Sequence, residues 1–98
     1  MKKAILTPKP WGQEEILETN DYYTVKRITM YRGHQCSLQR HTEKLETFIL
    51  LEGKMLLIDD NRQHRLRPGA VFTIKPGVIH RMAAITDIVY LECSTSQR

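Results

Sequence analysis

Residues 33–53 read GHQCSLQRHTEKLETFILLEG and residues 69–80 read GAVFTIKPGVIH. The first stretch has the pattern Gly33-x5-Gln39-x-His41-x4-Glu46-x6-Gly53. The second, Gly69-x5-Lys75-x-Gly77-x2-His80, ends on another imidazole. Gln39 and His41 stand two apart, so on a strand both project from one face. A strand over Thr47–Leu51 pairing beside them lets Glu46 enter, and His80 arrives after a Pro-Gly turn. Two imidazoles, a carboxylate and an amide oxygen form a borderline-hard donor set that suits Zn, Mn, Fe(II), Co or Ni. Such a set leaves positions open for water or substrate, as catalysis requires. Singly, each residue has a plainer reading: a polar strand residue for Gln39, a surface or core histidine for His41, turn residues for Glu46 and His80. Beside these plainer readings, Gln39, His41, Glu46 and His80 stand as candidates for holding one divalent metal ion.

Outward from these stretches, β-type runs recur at short intervals. They are Tyr22–Met30, Cys36–Gln39, Thr47–Leu51, Lys54–Asp59, Gln63–Leu66, Ala70–Ile74, His80–Ala84 and Ile88–Cys93. Turn signals separate them, at Arg32-Gly33, Glu52-Gly53, Asp59-Asp60-Asn61, Pro68-Gly69, Pro76-Gly77 and Thr86-Asp87. The one stretch with helical spacing, Gln39–Leu51, ends in the apolar run FILL beside Glu52-Gly53, which suits a buried strand and a tight turn better. Many short strands in a small domain predict an all-β sandwich or barrel, whose closure removes exposed edges. Residues 1–21, with Pro8 and Pro10, read as an extended N-terminal arm with a short strand at Glu15–Leu17.

Ninety-eight residues make one domain, and one small enough that shared burial with a second copy is expected, so a homodimer is anticipated. The net charge is +4, but the fifteen Lys and Arg are scattered and acids interrupt them throughout. No nucleic-acid partner is expected from that pattern, whereas a modest positive field suits small anionic ligands. Cys36 and Cys93 form no CxxC and read as reduced thiols. Pro8 and Pro10 precede any apolar run, and no eighteen consecutive residues are apolar. Neither a signal peptide nor a membrane partner is expected, and a cytoplasmic location follows.

The two spaced stretches resemble the two motifs of the cupin superfamily, with Gln39 where the first histidine commonly stands and Lys75 where a proline does. KPWGQEEIL, YYTVKRITMYRG, SLQRHTEKLETFILLEG and IKPGVIHRM further resemble the C-terminal cupin domain of type II mannose-6-phosphate isomerases. That resemblance implies a small double-stranded β-helix, or jelly roll, over residues 1–98. It also implies a metal shell of Gln, His, Glu and His, falling on Gln39, His41, Glu46 and His80. The implied activity is aldose–ketose isomerisation of a sugar phosphate in polysaccharide or nucleotide-sugar metabolism.

A cation must then hold the phosphate. The candidates are Lys44, Lys26, Arg27 and Arg81, with Lys44 and Arg27 preferred. Lys26 and Arg27 alternate faces, so one of them points inward, while Arg81 is expected to face away from His80. Lys44 stands where the family carries an arginine, and the family's further histidines are absent from HTEKLE. Two other function classes fit the same residues: a small Fe(II) cupin dioxygenase and a non-catalytic sugar or small-molecule binding module. Trp11 reads as an anchor for the arm, and Phe48–Leu51 and Met55–Ile58 as core.

Overall fold

The computed structural model describes residues 3–96. Nine strands account for its regular structure: β1 (Ile5–Lys9), β2 (Gly12–Thr19), β3 (Tyr23–Met30), β4 (Glu46–Glu52), β5 (Met55–Asp59), β6 (Arg62–Leu66), β7 (Val71–Ile74), β8 (His80–Ala84) and β9 (Ile88–Thr95). No helix occurs among the described residues. A six-stranded sheet runs β1-β2-β3-β9-β4-β7 and a three-stranded sheet runs β6-β5-β8. All pairings between these strands are antiparallel.

The period-two alternation of the sequence sets which side chains go inside. On β4 the inward positions are Glu46, Phe48 and Leu50, on β8 His80, Met82 and Ala84, and on β9 Ile88, Tyr90, Glu92 and Ser94. Ile28 and Met30 from β3 and Met55 and Leu57 from β5 join them, so both sheets feed one core. Phe48 is fully buried and stacks on Phe72 with ring centroids 5.0 Å apart. The inward row changes character along each strand. Toward one end of the barrel it is Leu50, Tyr90, Ile88 and Met30, and toward the other it is Glu46, His80, Glu92 and Ser94.

Turn chemistry agrees with the pairing. Asp60 and Asn61 both take positive φ, 39° and 71°, and join β5 to β6 as a two-residue turn of the kind that matches strand twist. Gly53, at φ +84°, closes the β4–β5 connection, where an added Cβ would run into the Asp87 carbonyl oxygen. Only glycine combines that backbone with that proximity.

Two expectations change. Residues 5–19 form a hairpin where an arm with one short strand was anticipated. β2 pairs along the length of β3, from Gly12–Met30 to Thr19–Thr24, so this segment is part of the sheet. Pro8 is accommodated because β1 is the edge strand, where a missing N–H costs no ladder bond. The second change is at Cys36–Gln39, which is not a continuous strand. Residues 33–39 instead follow β8 through separate bonds: Gly33 N–H to Ala84 O (2.9 Å), Cys36 N–H to Met82 O (3.1 Å) and Gln39 N–H to His80 O (2.8 Å). Regular pairing breaks because the Cys36 sulfur takes the Met82 N–H at 3.3 Å in place of a carbonyl.

Candidate metal centre

At the polar end of the barrel three predicted ligands converge. Glu46 is the first residue of β4 and His80 the first of β8, and both residues are 1% exposed. His41 lies on the loop before β4, half-buried, with its carbonyl accepting the Gly77 N–H at 2.6 Å. Glu46 Oε1 is 3.5 Å from His41 Nε2 and 3.6 Å from His80 Nε2. One ligand atom from each of the three lies within 4.8 Å of the others.

The hydrogen bonding of His80 decides what those distances mean. Its Nδ1 is 3.1 Å from the Val78 carbonyl, which can only accept, so Nδ1 carries the hydrogen. Nε2 of the neutral ring is then a bare lone pair facing a carboxylate oxygen. Both Glu46 Oε1 and His80 Nε2 are buried without a hydrogen-bond partner. Two acceptors held face to face in the interior are costly unless a cation lies between them. Donors about 2.1 Å from a common metal ion stand roughly 3–3.5 Å apart, close to the separations found. Backbone anchoring of a histidine's other nitrogen is also the usual support for a metal ligand. Burial, and then Lys44 and His80 nearby, lower the His41 pKa from the ordinary 6.5, the direction that favours the neutral ring a metal needs. The donor set fits a divalent ion.

Gln39 joins this group from the side. It lines the same cavity as His41 and Glu46, and its backbone pairs in both directions with His80, N–H to O at 2.8 Å and O to N–H at 2.9 Å. The strand carrying His80 and the segment carrying Gln39 and His41 are thereby locked together.

The cavity above the triad has a volume of about 160 Å³. Its walls carry charged and phenolic groups that the two spaced motifs do not contain: Glu14, Lys26, Tyr90 and Glu92. Lys26 Nζ is 3.1 Å from Glu14 Oε1 and 4.0 Å from Glu92 Oε2. Burial, and then the neighbouring Glu46 carboxylate, push the Glu92 pKa up. Burial likewise holds the Tyr90 hydroxyl well above its ordinary range. Trp11 both packs on the core and lines this cavity, joining the anchoring role expected of it to a place at the site.

Among the phosphate-holding candidates, Lys44 lines the cavity and Arg27 does not. Arg27 is on the outer face of β3, where it grips Glu15 through Nε (3.1 Å) and Nη2 (2.7 Å). The expected inward choice, Arg27, therefore differs from the face the structure gives it. Ile28 and Met30 point inward, and Lys26 shares their parity. Parity with apolar neighbours was therefore the available signal for Lys26. Glu92 offered less, because Val89 and Leu91 make both parities of β9 apolar. Glu14 offered none. Arg81 takes the opposite parity to His80 and Met82, as expected. His34 is exposed, and His64 pairs with Asp59 at 3.1 Å away from the triad.

Comparison with known proteins bears on the family and the fold. A family model described as "Mannose-6-phosphate isomerase C-terminal" matches residues 2–93. The chain is 28% identical over 82 residues to a mannose-1-phosphate guanylyltransferase of Salmonella muenchen, covering 76% of this chain and 17% of that protein. It is 28% identical over 75 residues to the alginate biosynthesis protein AlgA of Pseudomonas aeruginosa, covering 76% and 16%. It is also 30% identical over 78 residues to the xanthan biosynthesis protein XanB of Xanthomonas campestris pv. campestris, covering 70% and 17%. The chain thus spans about a sixth of the length of these relatives. Among solved structures, KdgF from Halomonas sp. superposes with a TM-score of 0.88 at 17% identity, over 96% of this chain and 89% of that one. An RmlC-like cupin from Shewanella frigidimarina gives 0.89 at 18% identity, over 98% and 86%. At such identities these two likenesses establish the cupin jelly roll and nothing narrower.

Proposed function

The chain belongs to the mannose-6-phosphate isomerase C-terminal family, and on that premise we propose that it is a divalent-metal cupin acting on a sugar phosphate by aldose–ketose isomerisation. The observation that carries the metal part is the buried pair of partnerless acceptors, Glu46 Oε1 and His80 Nε2, 3.6 Å apart beside His41. Gln39, His41, Glu46 and His80 would hold the ion. When bound, it supplies Lewis acidity to carbonyl and hydroxyl oxygens of the sugar.

The remaining steps fall to the cavity wall. Isomerisation moves a proton from one carbon to its neighbour while a hydroxyl proton shifts between the attached oxygens. Glu92 is a cavity carboxylate outside the ligand group, and a raised carboxylate pKa is the direction a group that takes and returns a proton near neutrality needs. Lys26 stands between Glu92 and Glu14 and steadies both. Lys44 at the cavity mouth meets the phosphate as a point charge and not as a bidentate fork. A three-histidine dioxygenase site has less support, since among the described residues His34 and His64 lie away from His41 and His80. Homodimerisation and a cytoplasmic location stay part of the proposal.

The test is metal analysis coupled to turnover. We expect about one divalent ion per chain in the purified protein, its loss in the His41→Ala/His80→Ala double variant, and interconversion of mannose 6-phosphate and fructose 6-phosphate. A metal-loaded protein inert toward a panel of phosphorylated sugars would remove the isomerase reading. It would leave a binding module as the reading of the site.

A further inference from the structure

We propose that the open edge of β6 docks an acidic, extended segment of a partner protein, which joins the three-stranded sheet as a fourth strand. One carboxylate of that segment enters a basic pocket at the end of the barrel opposite Glu46 and His80. Neither a metal ion nor a sugar phosphate is involved.

β6 lies at the edge of the sheet β6-β5-β8. Among the described residues it pairs with β5 alone, and no backbone group of residues 62–66 bonds to any other segment. The opposite edge, β8, is covered by residues 33–39. An antiparallel edge strand turns alternate N–H and C=O groups outward, and these are the groups an added strand takes up. Residues 62–67, RQHRLR, carry three arginines, a histidine and no acid. Among the described residues His64 pairs with Asp59 at 3.1 Å, while Lys54, Arg62, Arg65 and Arg67 have no carboxylate partner. All four of these cations are exposed.

The charge has a place to be met. Lys54, Arg65 and Arg67 surround a cavity of about 130 Å³ whose other walls are Leu66 and Ile85. It sits at the Gly53 rim, since Leu66 pairs with Met55 and the Ile85 N–H bonds the Lys54 carbonyl at 3.0 Å. Asp87, at the same rim, is taken by the Arg32 N–H at 2.7 Å. Guanidinium forks match a carboxylate bidentately, and apolar walls suit the methylene stem that carries it. Cations on an edge strand also guard against unwanted pairing, but a guard needs no shared cavity. A second copy is the wrong occupant, because β6 against β6 would set arginine near arginine, and like charges across a strand pair repel. A nucleic acid would meet the cations and leave the strand edge unpaired.

The probe is a capped peptide of about seven residues alternating glutamate with valine, titrated into the full chain and followed by amide NMR and calorimetry. We expect shifts along β6 and at Lys54 and Ile85, with slower hydrogen exchange of the outward β6 amides. The double variant Arg65→Gln/Arg67→Gln, which keeps the fold because both side chains are exposed, should bind about tenfold more weakly or worse. Lys9→Gln, which removes a cation from the edge strand β1, should leave binding unchanged. Of two peptides N-methylated on alternate residues, one should lose binding and the other keep it, because only one set of N–H groups faces β6. Absence of shifts at about 1 mM peptide, where even a weak docking edge is half occupied, would overturn the proposal. Equal binding of a lysine–valine peptide would do the same. So would equal binding of both methylated peptides, which means charge adsorption without strand addition, or a single-stranded oligonucleotide that binds this rim more tightly than the peptide.

Discussion

Replacing Glu46 by glutamine should reverse the stability order of wild type and variant according to whether metal is present. In the stripped wild type, Glu46 Oε1 faces the lone pair of His80 Nε2 at 3.6 Å, with both atoms buried and without a hydrogen-bond partner. A buried polar atom left without a partner costs about 1–3 kcal/mol, and one hydrogen bond returns about 1 kcal/mol. A glutamine NH2 can donate to His80 Nε2, so stripped Glu46→Gln should be more stable by about 1 kcal/mol. For a chain of 98 residues that is a rise in Tm of roughly 4–8 °C. Loss of a negative charge beside the buried Glu92 acts in the same direction. Metal reverses the order. An ion at a hundredfold its Kd stabilises the wild type by about 2.7 kcal/mol, some 11–22 °C, and the variant, lacking its carboxylate, by far less. Thermal unfolding followed by circular dichroism, in EDTA and then in Zn, Mn, Co or Ni, reads both halves. If Glu46→Gln melts below wild type by one constant margin in every condition, Glu46 is a packing residue and the reasoning fails.

Two further outcomes follow from the ionisable groups. Burial, then Lys44 and His80, lower the His41 pKa from 6.5, so the folded chain binds fewer protons there than the unfolded one. Its contribution to stability is complete above about pH 6.5 and is lost as pH falls through the lowered value. Stripped wild type should lose Tm between pH 7 and pH 5 more steeply than His41→Gln, and equal slopes would refute the assignment. For the thiols, burial raises the Cys36 pKa, whereas Cys93 is exposed. A disulfide reagent at neutral pH should titrate one fast thiol, absent from Cys93→Ser, and one slow thiol that reacts fully only on unfolding.

The strands that pack both sheets were legible because apolar alternation and turn residues agree there. His80–Ala84 has the expected bounds, and Thr47–Leu51 grows by one residue at each end. The hairpin of β1 and β2 was hidden for the opposite reason. GQEEILET carries little alternation, and what makes it a strand is pairing with β3, a contact between distant parts of the chain. Cys36–Gln39 fails in the other direction: its residues suit a strand, but a sulfur acceptor interrupts the ladder. At the site, fixed spacing exposed Gln39, His41, Glu46 and His80 as a set. Lys26 and Glu92 belong to no motif and enter only because barrel closure turns their strand faces inward. A motif shows what lies close along the chain, and wall residues come from elsewhere in it.

The six-residue interval between Glu46 and Gly53 has a meaning beyond recognition, because it is a length. It runs along β4 from the polar end of the barrel to the rim where Gly53 meets Asp87. Seven steps of about 3.3 Å make roughly 23 Å, comparable with the 25 Å shortest extent of the molecule. The glycine thus marks the far end of a ruler whose zero is Glu46, one of the three side chains that converge at the polar end. One residue added within β4 would leave the composition almost untouched and would turn Phe48 or Leu50 outward while bringing Thr47 or Ile49 in. The four residues between His41 and Glu46 measure nothing comparable, since they lie in a loop that can lengthen or shorten while its ends stay in place. Within β4, away from Glu46 and the inward apolar positions, substitutions should therefore be tolerated where changes of length are not, and the intervals most intolerant of insertion mark how deep the barrel is.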